Sequence, residues 1–192
     1  MNPQFESLWE FHQLFERHGI GYAVIGGLAV QFWGEPRFTR DVDITLVSPP
    51  EEFDRTVEIL LGAFHSRIGD PAKFARENRI LLLRAANGCE VDVSFGLPGY
   101  EEEMISRTVP YDLEAEKTVR FCGAEDLLIH KMVASRPRDL EDVAGIVARS
   151  GRRLDLAYVR KWLGVFGDSL AMPILENFES FLMRPGGPPP DR

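Results

Sequence analysis

Two aspartates separated by one apolar residue constrain this chain more than any other feature of its sequence. The stretch DVDITL, residues 41–46, begins with alternating acidic and apolar side chains and precedes two prolines, which is typical of a strand that ends there. Because side chains of a strand alternate between faces, Asp41 and Asp43 must project together. Carboxylates this close destabilise each other unless a cation neutralises them. We therefore expect a cation-binding cluster on this strand.

A later hairpin supplies a third carboxylate. Residues 79–85 and 90–95 form two strand-like runs joined through an Asn-Gly dipeptide, which favours a tight hairpin turn. Asp92 is an isolated acid between two valines of the second run. If this strand neighbours the first acidic strand, Asp92 completes a cluster of three carboxylates, and Glu90 on the same face is a weaker fourth candidate. Hard oxygen ligands of this kind suit Mg²⁺.

A diglycine precedes the acids at a predicted strand-to-helix turn. The strand is expected at residues 22–25 and the helix at 28–33, with Gly26 and Gly27 between them. Glycines at such a turn let a phosphate approach the backbone, and the start of a helix offers unpaired N–H groups. Three polar residues of the following loop could neutralise or hydrogen-bond a triphosphate: Arg37, Thr39 and Arg40.

The order of these features resembles the DNA-polymerase-β-type nucleotidyltransferase superfamily. The match consists of the diglycine, the acid–apolar–acid strand and the acid on a later strand, and it covers about the first half of the chain. The resemblance implies that the glycines bind the phosphates of a nucleoside triphosphate substrate. It also implies that Asp41, Asp43 and Asp92 bind two Mg²⁺ ions and are catalytic, with Asp92 as a candidate general base.

The segment HKMVASRPRDLEDV, residues 130–143, resembles the helical motif of bacterial nucleotidyltransferase toxins of the abortive-infection type. This resemblance implies that Lys131 contacts the nucleotide phosphates and takes part in catalysis, and that Asp139 supports or orients it. Asp142 belongs to the same motif and could instead pair with Arg138 or Arg149. The resemblance further implies a separately encoded antitoxin as a candidate partner and the 3′ end of a transfer RNA as a candidate acceptor.

The sequence leaves the acceptor open. The chain is acidic, with a net charge of −8, so its one basic concentration could make only a limited contact with an RNA backbone. That concentration consists of five arginines: Arg136, Arg138, Arg149, Arg152 and Arg153. A protein side chain or a small antibiotic hydroxyl are alternative acceptors, because aminoglycoside nucleotidyltransferases share the glycine and acid core. A cationic drug would need an acidic pocket, for which the run EEEM at 101–104 is a poor candidate. A non-catalytic scaffold that binds a nucleotide or a partner protein is a further alternative, against which the complete set of acids argues.

Patterning along the chain predicts an α+β fold with a helical C-terminal region. We expect a nucleotidyltransferase core at residues 1–122, with a mixed β-sheet flanked by helices, then a helical region at 123–183 and a disordered tail at 184–192. Cys89 and Cys122 lack metal-like spacing and are expected to be small buried hydrophobic residues. The chain has no signal-like start and no apolar run of membrane-spanning length, so we expect a cytoplasmic protein without a membrane partner. P-loop, GxGxxG, GxSxG and HExxH motifs are absent from the sequence.

Overall fold

The computed structural model of the chain describes residues 2–183, and the predicted tail at 184–192 lies outside them. The chain divides into two compact units. Within the described residues, the first contains residues 2–28 and 38–122, and the second contains residues 29–37 and 123–183.

A mixed β-sheet forms the centre of the first unit. Its strands are β1 (Tyr22–Ile25), β2 (Asp41–Leu46), β3 (His65–Ser66), β4 (Ile80–Arg84), β5 (Glu90–Phe95), β6 (Val109–Glu114) and β7 (Lys117–Phe121). Within the described residues these seven strands have the order β3-β4-β5-β2-β1-β7-β6. The pairs β2–β5 and β1–β7 are parallel, and the other neighbouring pairs are antiparallel. The strand that carries Asp92 is therefore a direct neighbour of the strand that carries Asp41 and Asp43.

Helices connect these strands, and local signals fix several of their ends. They are α1 (Pro3–His18), α2 (Gly26–Trp33), α3 (Phe53–Ala63), α4 (Pro71–Asn78) and α5 (Tyr100–Ser106). The first helix begins where the Asn2 side chain accepts a hydrogen bond from the backbone N–H of Phe5, and it ends at Gly19 in the left-handed conformation. Helix α4 begins in the same way, because the Asp70 side chain accepts from the N–H of Lys73.

Alternation along β2 and β5 separates an apolar face from an acidic one. Val42, Ile44, Val91 and Val93 are completely buried, whereas the acids between them remain at least partly exposed. Burial of this apolar face fixes the register, because a slip of one residue would exchange the two faces.

The second unit contains the segment Ala29–Arg37, which includes the last five residues of α2, and a set of later helices. Its further helices are α6 (Ala124–Ala134), α7 (Pro137–Ser150), α8 (Leu156–Leu170) and α9 (Ile174–Leu182). Pro137 occupies the first position of α7, where a missing N–H costs nothing, and Asp155 caps α8 by accepting from the N–H of Tyr158. Within residues 2–183, none of the helices is long and apolar enough to cross a membrane.

The fold class is confirmed, and several details differ from the expectation. Helix α2 begins at Gly26, two residues earlier than predicted, because Gly26 enters it with a φ of +64° that glycine adopts without strain. Helices α4 and α5 and the short strand β3 were not predicted. The expectation of burial was wrong for Cys89, which is partly exposed because it lies just after the hairpin turn, and Cys122 is buried.

Ile44 lies on the core face of β2, directly after Asp43, and its side chain is completely buried. We expect Ile44→Ala to lower the free energy of unfolding by about 2–5 kcal/mol, because the lost methyl groups leave a cavity beneath the acidic strand. Ile44→Val removes a single methylene and should cost only about 0.5–1.5 kcal/mol. Chemical denaturation measures both, and an equal cost for the two variants would contradict the assignment of Ile44 to a tightly packed core.

Candidate active site

The acids of β2 and β5 face one another in register within the first unit. Asp43 is paired with Asp92, and Asp41 with Glu90. Paired residues of neighbouring parallel strands project on the same face, so these four carboxylates share one side of the sheet. Burial is the largest influence on Asp92 and raises the pKa of its carboxyl, and the charges of Asp41 and Glu90 raise it further. The sheet thus brings together the acids that the sequence predicted.

Arg67, which the sequence analysis missed, contacts two of these acids. Its Nη1 lies 2.8 Å from Oε2 of Glu90, and its Nη2 contacts Oδ1 of Asp92. The guanidinium opposes the rise in the pKa of Asp92 but does not cancel it. No motif in the sequence points to Arg67, because it is separated from Asp92 by 25 residues and becomes its neighbour only through the pairing of β3, β4 and β5.

The diglycine lies against the acidic strand. A Cβ atom at Gly26 would overlap the Asp43 carboxylate, and one at Gly27 would lie 2.5 Å from Oγ1 of Thr39. Thr39 is buried and donates a hydrogen bond from Oγ1 to Oδ1 of Asp41 at 2.7 Å. The backbone therefore approaches Asp43 at Gly26, and Thr39 at Gly27, more closely than a residue with a side chain would permit. Arg40, the next predicted phosphate contact, is exposed.

A buried ionic network within the second unit contains the other predicted site residues. Nζ of Lys131 lies 3.0 Å from Oδ1 of Asp139 and 2.8 Å from Oδ2 of Asp142. Arg37 donates to both oxygens of Asp142, from Nε at 2.8 Å and from Nη2 at 3.0 Å. Oδ2 of Asp139 accepts a further hydrogen bond from the backbone N–H of Arg136 at 3.3 Å. Two carboxylates and two basic groups thus balance one another.

The expectation that Asp142 could pair with Arg138 or Arg149 was wrong. Its two oxygens are engaged by Arg37 and Lys131, while Arg149 donates to the backbone oxygen of Gly34. Burial is the largest influence on Asp142 and would raise the pKa of its carboxyl. The hydrogen bonds and charges of Arg37 and Lys131 outweigh it, so that the pKa is lowered. Asp142 therefore stays ionised at neutral pH.

His130, the neighbour of Lys131, is half-buried. Burial, with a smaller contribution from the charge of Lys131, lowers the pKa of His130 to about 4. The imidazole is therefore neutral at neutral pH, which agrees with a structural role rather than proton transfer near pH 7.

The acidic run at 101–104 lies near the C-terminal end of β2. It belongs to α5, where Met104 is buried and the side chain of Glu102 accepts from the N–H of Gly99. Glu101 lies beside Gly96, whose N–H donates to the backbone oxygen of Leu46 at the end of β2. Three residues of strand, about 10 Å, separate Leu46 from Asp43, and five residues, about 17 Å, separate it from Asp41. This run therefore lies at the opposite end of β2 from Asp41.

The donor chemistry of the acidic cluster suits Mg²⁺, which binds carboxylate oxygens. In the part of the chain that the structure describes, however, no group of three or more His, Cys, Asp or Glu side chains is arranged so that it could hold a metal ion. The cation in direct contact with Asp92 is the guanidinium of Arg67. The carboxylates are of the chemical type that binds Mg²⁺, and they lie on one face of the sheet. Their side chains would have to move before they could bind one ion together.

Comparison with known proteins identifies the family. The family described as "Nucleotidyl transferase AbiEii toxin, Type IV TA system" matches residues 14–185. The chain belongs to this family. As an AbiEii nucleotidyltransferase, it is a transferase, which confirms the resemblance seen in the sequence. No curated protein matches the chain.

Solved structures with the same fold are nucleotidyltransferases or resemble them. The solution structure of the antibiotic-resistance factor ANT(2'')-Ia is 14% identical, with a TM-score of 0.56, and the match covers 92% of this chain and 97% of that one. An antigenic nucleotidyltransferase-like protein from Paracoccidioides brasiliensis is 15% identical, with a TM-score of 0.55 and coverages of 93% and 91%. The lincosamide adenylyltransferase LnuA, bound to lincomycin, is 12% identical, with a TM-score of 0.50 and coverages of 72% and 92%. At these identities the likeness supports the fold of the AbiEii chain and not its acceptor.

The ionic network of the second unit should contribute strongly to stability. Lys131, Asp139 and Asp142 are each less than 10% exposed. We expect Lys131→Met, which keeps most of the side-chain volume, to lower the free energy of unfolding by about 3–5 kcal/mol, because it leaves buried carboxylates without their shared ammonium. Urea denaturation monitored by circular dichroism measures this change.

Arg136 provides a matched control for this prediction. Its side chain is 80% exposed and its Nε lies 3.8 Å from Asp139. Arg136→Ala should change the free energy of unfolding by less than about 1 kcal/mol, as is usual for an exposed ion pair. Similar stabilities of Lys131→Met and Arg136→Ala would show that the Lys131 network does not stabilise the fold.

Proposed function

We propose that this chain transfers a nucleoside monophosphate from a nucleoside triphosphate to an acceptor hydroxyl in a Mg²⁺-dependent reaction that releases pyrophosphate. The observation that carries the proposal is the register of β2 and β5, which pairs Asp43 with Asp92 beside Gly26. Bound Mg²⁺ would neutralise phosphate oxygens and lower the pKa of the attacking hydroxyl.

The proposed roles follow from the chemistry of each carboxylate. Asp41 and Asp43 bind the metal ions, and Thr39 orients Asp41 through its 2.7 Å hydrogen bond. Asp92 would help to hold the metal that activates the acceptor and would accept the proton of the hydroxyl. Its raised pKa makes it a better proton acceptor than an ordinary aspartate.

The phosphates of the nucleotide are proposed to lie along the backbone of Gly26 and Gly27, beside the side chains of Asp43 and Thr39. Arg37, Arg40 and Lys131 complete the proposed phosphate-binding set by family resemblance. Asp139 orients Lys131 in this proposal, which the 3.0 Å contact between the two side chains supports. Arg37 already has two of its nitrogens bound to Asp142.

An RNA hydroxyl, such as the 3′ end of a transfer RNA, is the proposed acceptor, and the chain is proposed to act as the toxin of a toxin–antitoxin pair. Both suggestions rest on the family. The RNA acceptor is supported by the five arginines of the basic concentration defined above, all of which are exposed. Exposed guanidinium groups can contact the phosphates of an RNA backbone. Arg138 and Arg149 are three helical turns apart and lie on nearly the same side of α7. A separately encoded antitoxin and a cytoplasmic location complete the proposal.

An antibiotic hydroxyl is the alternative acceptor. Proteins of the same fold include one described with adenylyl-2"-tobramycin and one bound to lincomycin, at 13% and 12% identity. The alternative lacks support from the acidic run at 101–104, because that run lies at the other end of β2.

The reaction is tested with nucleoside triphosphates labelled at the α-phosphate, offered with total transfer RNA and MgCl₂. We expect label in the RNA with the wild-type protein, and at least about a 100-fold lower rate with Asp43→Asn, because this variant loses a carboxylate that would hold the metal ion needed to stabilise the transferring phosphate. Label at the γ-phosphate should remain out of the RNA.

Asp112 on β6 provides the matched control, since it is an exposed strand carboxylate of the same unit outside the cluster. Asp112→Asn should transfer at the wild-type rate. Transfer RNA whose 3′ hydroxyls have been oxidised with periodate should accept no label. Equal transfer by wild type and Asp43→Asn would overturn the proposed site, whereas label that resists ribonuclease and is removed by protease would assign a protein acceptor.

The toxin role is tested by induced expression in bacteria. We expect the wild-type protein to arrest growth and Asp43→Asn to leave growth unchanged, because the arrest requires transfer. Unaltered growth with the wild-type protein, together with increased resistance to tobramycin or lincomycin, would replace the toxin proposal with antibiotic modification.

A further inference from the structure

The backbone around Arg67 is held by hydrogen bonds, whereas its side chain is held by contacts to two acids. The N–H of Arg67 donates to the backbone oxygen of Leu82 at 2.9 Å, and Oγ of Ser66 bonds with both the N–H and the carbonyl of Ile68. Within residues 2–183, the buried Nε of Arg67 has no hydrogen-bond partner. Only the two terminal nitrogens carry contacts to acids, so rotation of the side chain breaks few bonds.

Glu90 offers Arg67 a second anchor. Arg67 contacts Asp92 through Nη2 and Glu90 through Nη1, the latter at 2.8 Å. Arg84 also reaches Glu90, at 3.2 Å, from an exposed position. The guanidinium of Arg67 can therefore leave Asp92 and stay near Glu90, which keeps its charge partly compensated.

The charges around Asp92 make Arg67 a competitor of a metal ion. Nη2 of Arg67 is in direct contact with Oδ1 of Asp92, so the guanidinium acts as the counter-charge of this carboxylate. Its contact with Asp92 is partly shielded from solvent, with side-chain exposures of 18% for Arg67 and 29% for Asp92. Two cations on the same carboxylate repel each other, and incomplete solvation strengthens this repulsion.

We infer that Arg67 is a positioning residue that occupies Asp92 in competition with the divalent cation, so that metal binding requires its displacement toward Glu90. This inference rests on the proposed function, because it takes Asp92 as a metal ligand. It assigns Arg67 a purpose that no motif of the chain indicates, which is to set the metal affinity of the acidic cluster.

The test measures Mn²⁺ binding without nucleotide, by electron paramagnetic resonance and by calorimetry. We expect Arg67→Gln to bind Mn²⁺ at least about tenfold more tightly than wild type, because one neighbouring charge changes the protonation of a carboxylate by about 1–3 pKa units and should change metal binding similarly. Arg67→Lys keeps the charge and should remain within about threefold of wild type.

Arg84→Gln is the matched control, because it removes the same charge from Glu90 without touching Asp92. It should change Mn²⁺ affinity by less than about threefold. A measurable affinity that is equal in wild type and Arg67→Gln would overturn the inference alone. Absence of Mn²⁺ binding in both proteins, under conditions where each is folded by circular dichroism, would overturn the proposed metal site and the inference with it.

A stability measurement provides an independent readout. In EDTA, Arg67→Gln should unfold at a lower temperature than wild type, because Asp92 loses its counter-charge. Addition of Mn²⁺ should raise the unfolding temperature of Arg67→Gln more than that of wild type. A larger rise in wild type would contradict the competition.

Discussion

Repulsion between carboxylates on two neighbouring parallel strands is the constraint on which the arrangement of the first unit depends. Two unit charges about 5 Å apart repel by about 3 kcal/mol at an effective dielectric constant of 20. The sheet tolerates this cost because the opposite faces of β2 and β5 bury valine and isoleucine completely. The apolar face fixes the register, and the register in turn holds the acids together.

The two units treat buried charge in different ways. In the second unit Lys131 and Arg37 share Asp139 and Asp142 through several short contacts, and each carboxylate has a basic partner. Such an arrangement favours a single geometry. In the first unit the acid opposite Asp43 relies on an arginine from a distant turn. The contrast agrees with a rigid ionic network in the second unit and with an Arg67 guanidinium in the first unit that a metal ion could replace at Asp92.

Much of the first unit could be predicted because its signals are local. Alternation assigned Asp41 and Asp43 to one face, and the Asn-Gly turn indicated the hairpin of β4 and β5. Helices α4 and α5 escaped prediction because they are short and rich in charged residues, so that helical periodicity has little length in which to appear.

The partners of the charged residues could not be predicted for a different reason. Arg37 meets Asp142 across 105 residues, and Arg67 meets Asp92 across 25. Spacing along the chain carries no information about such contacts, because the path between the partners decides them. The resemblance to a family implied that Asp139 supports or orients Lys131, and the two side chains lie 3.0 Å apart, but it gave no reason to look for Arg67.

The close approach of the diglycine to Asp43 and Thr39 affects how tolerance to mutation is interpreted. An alanine at position 26 meets two independent penalties, the positive φ of the backbone and overlap with a carboxylate. A saturation library would therefore find position 26 intolerant even in a protein that had lost all catalysis. Depletion of variants there reports on packing, and only substitutions of the acids themselves separate selection for turnover from selection for folding.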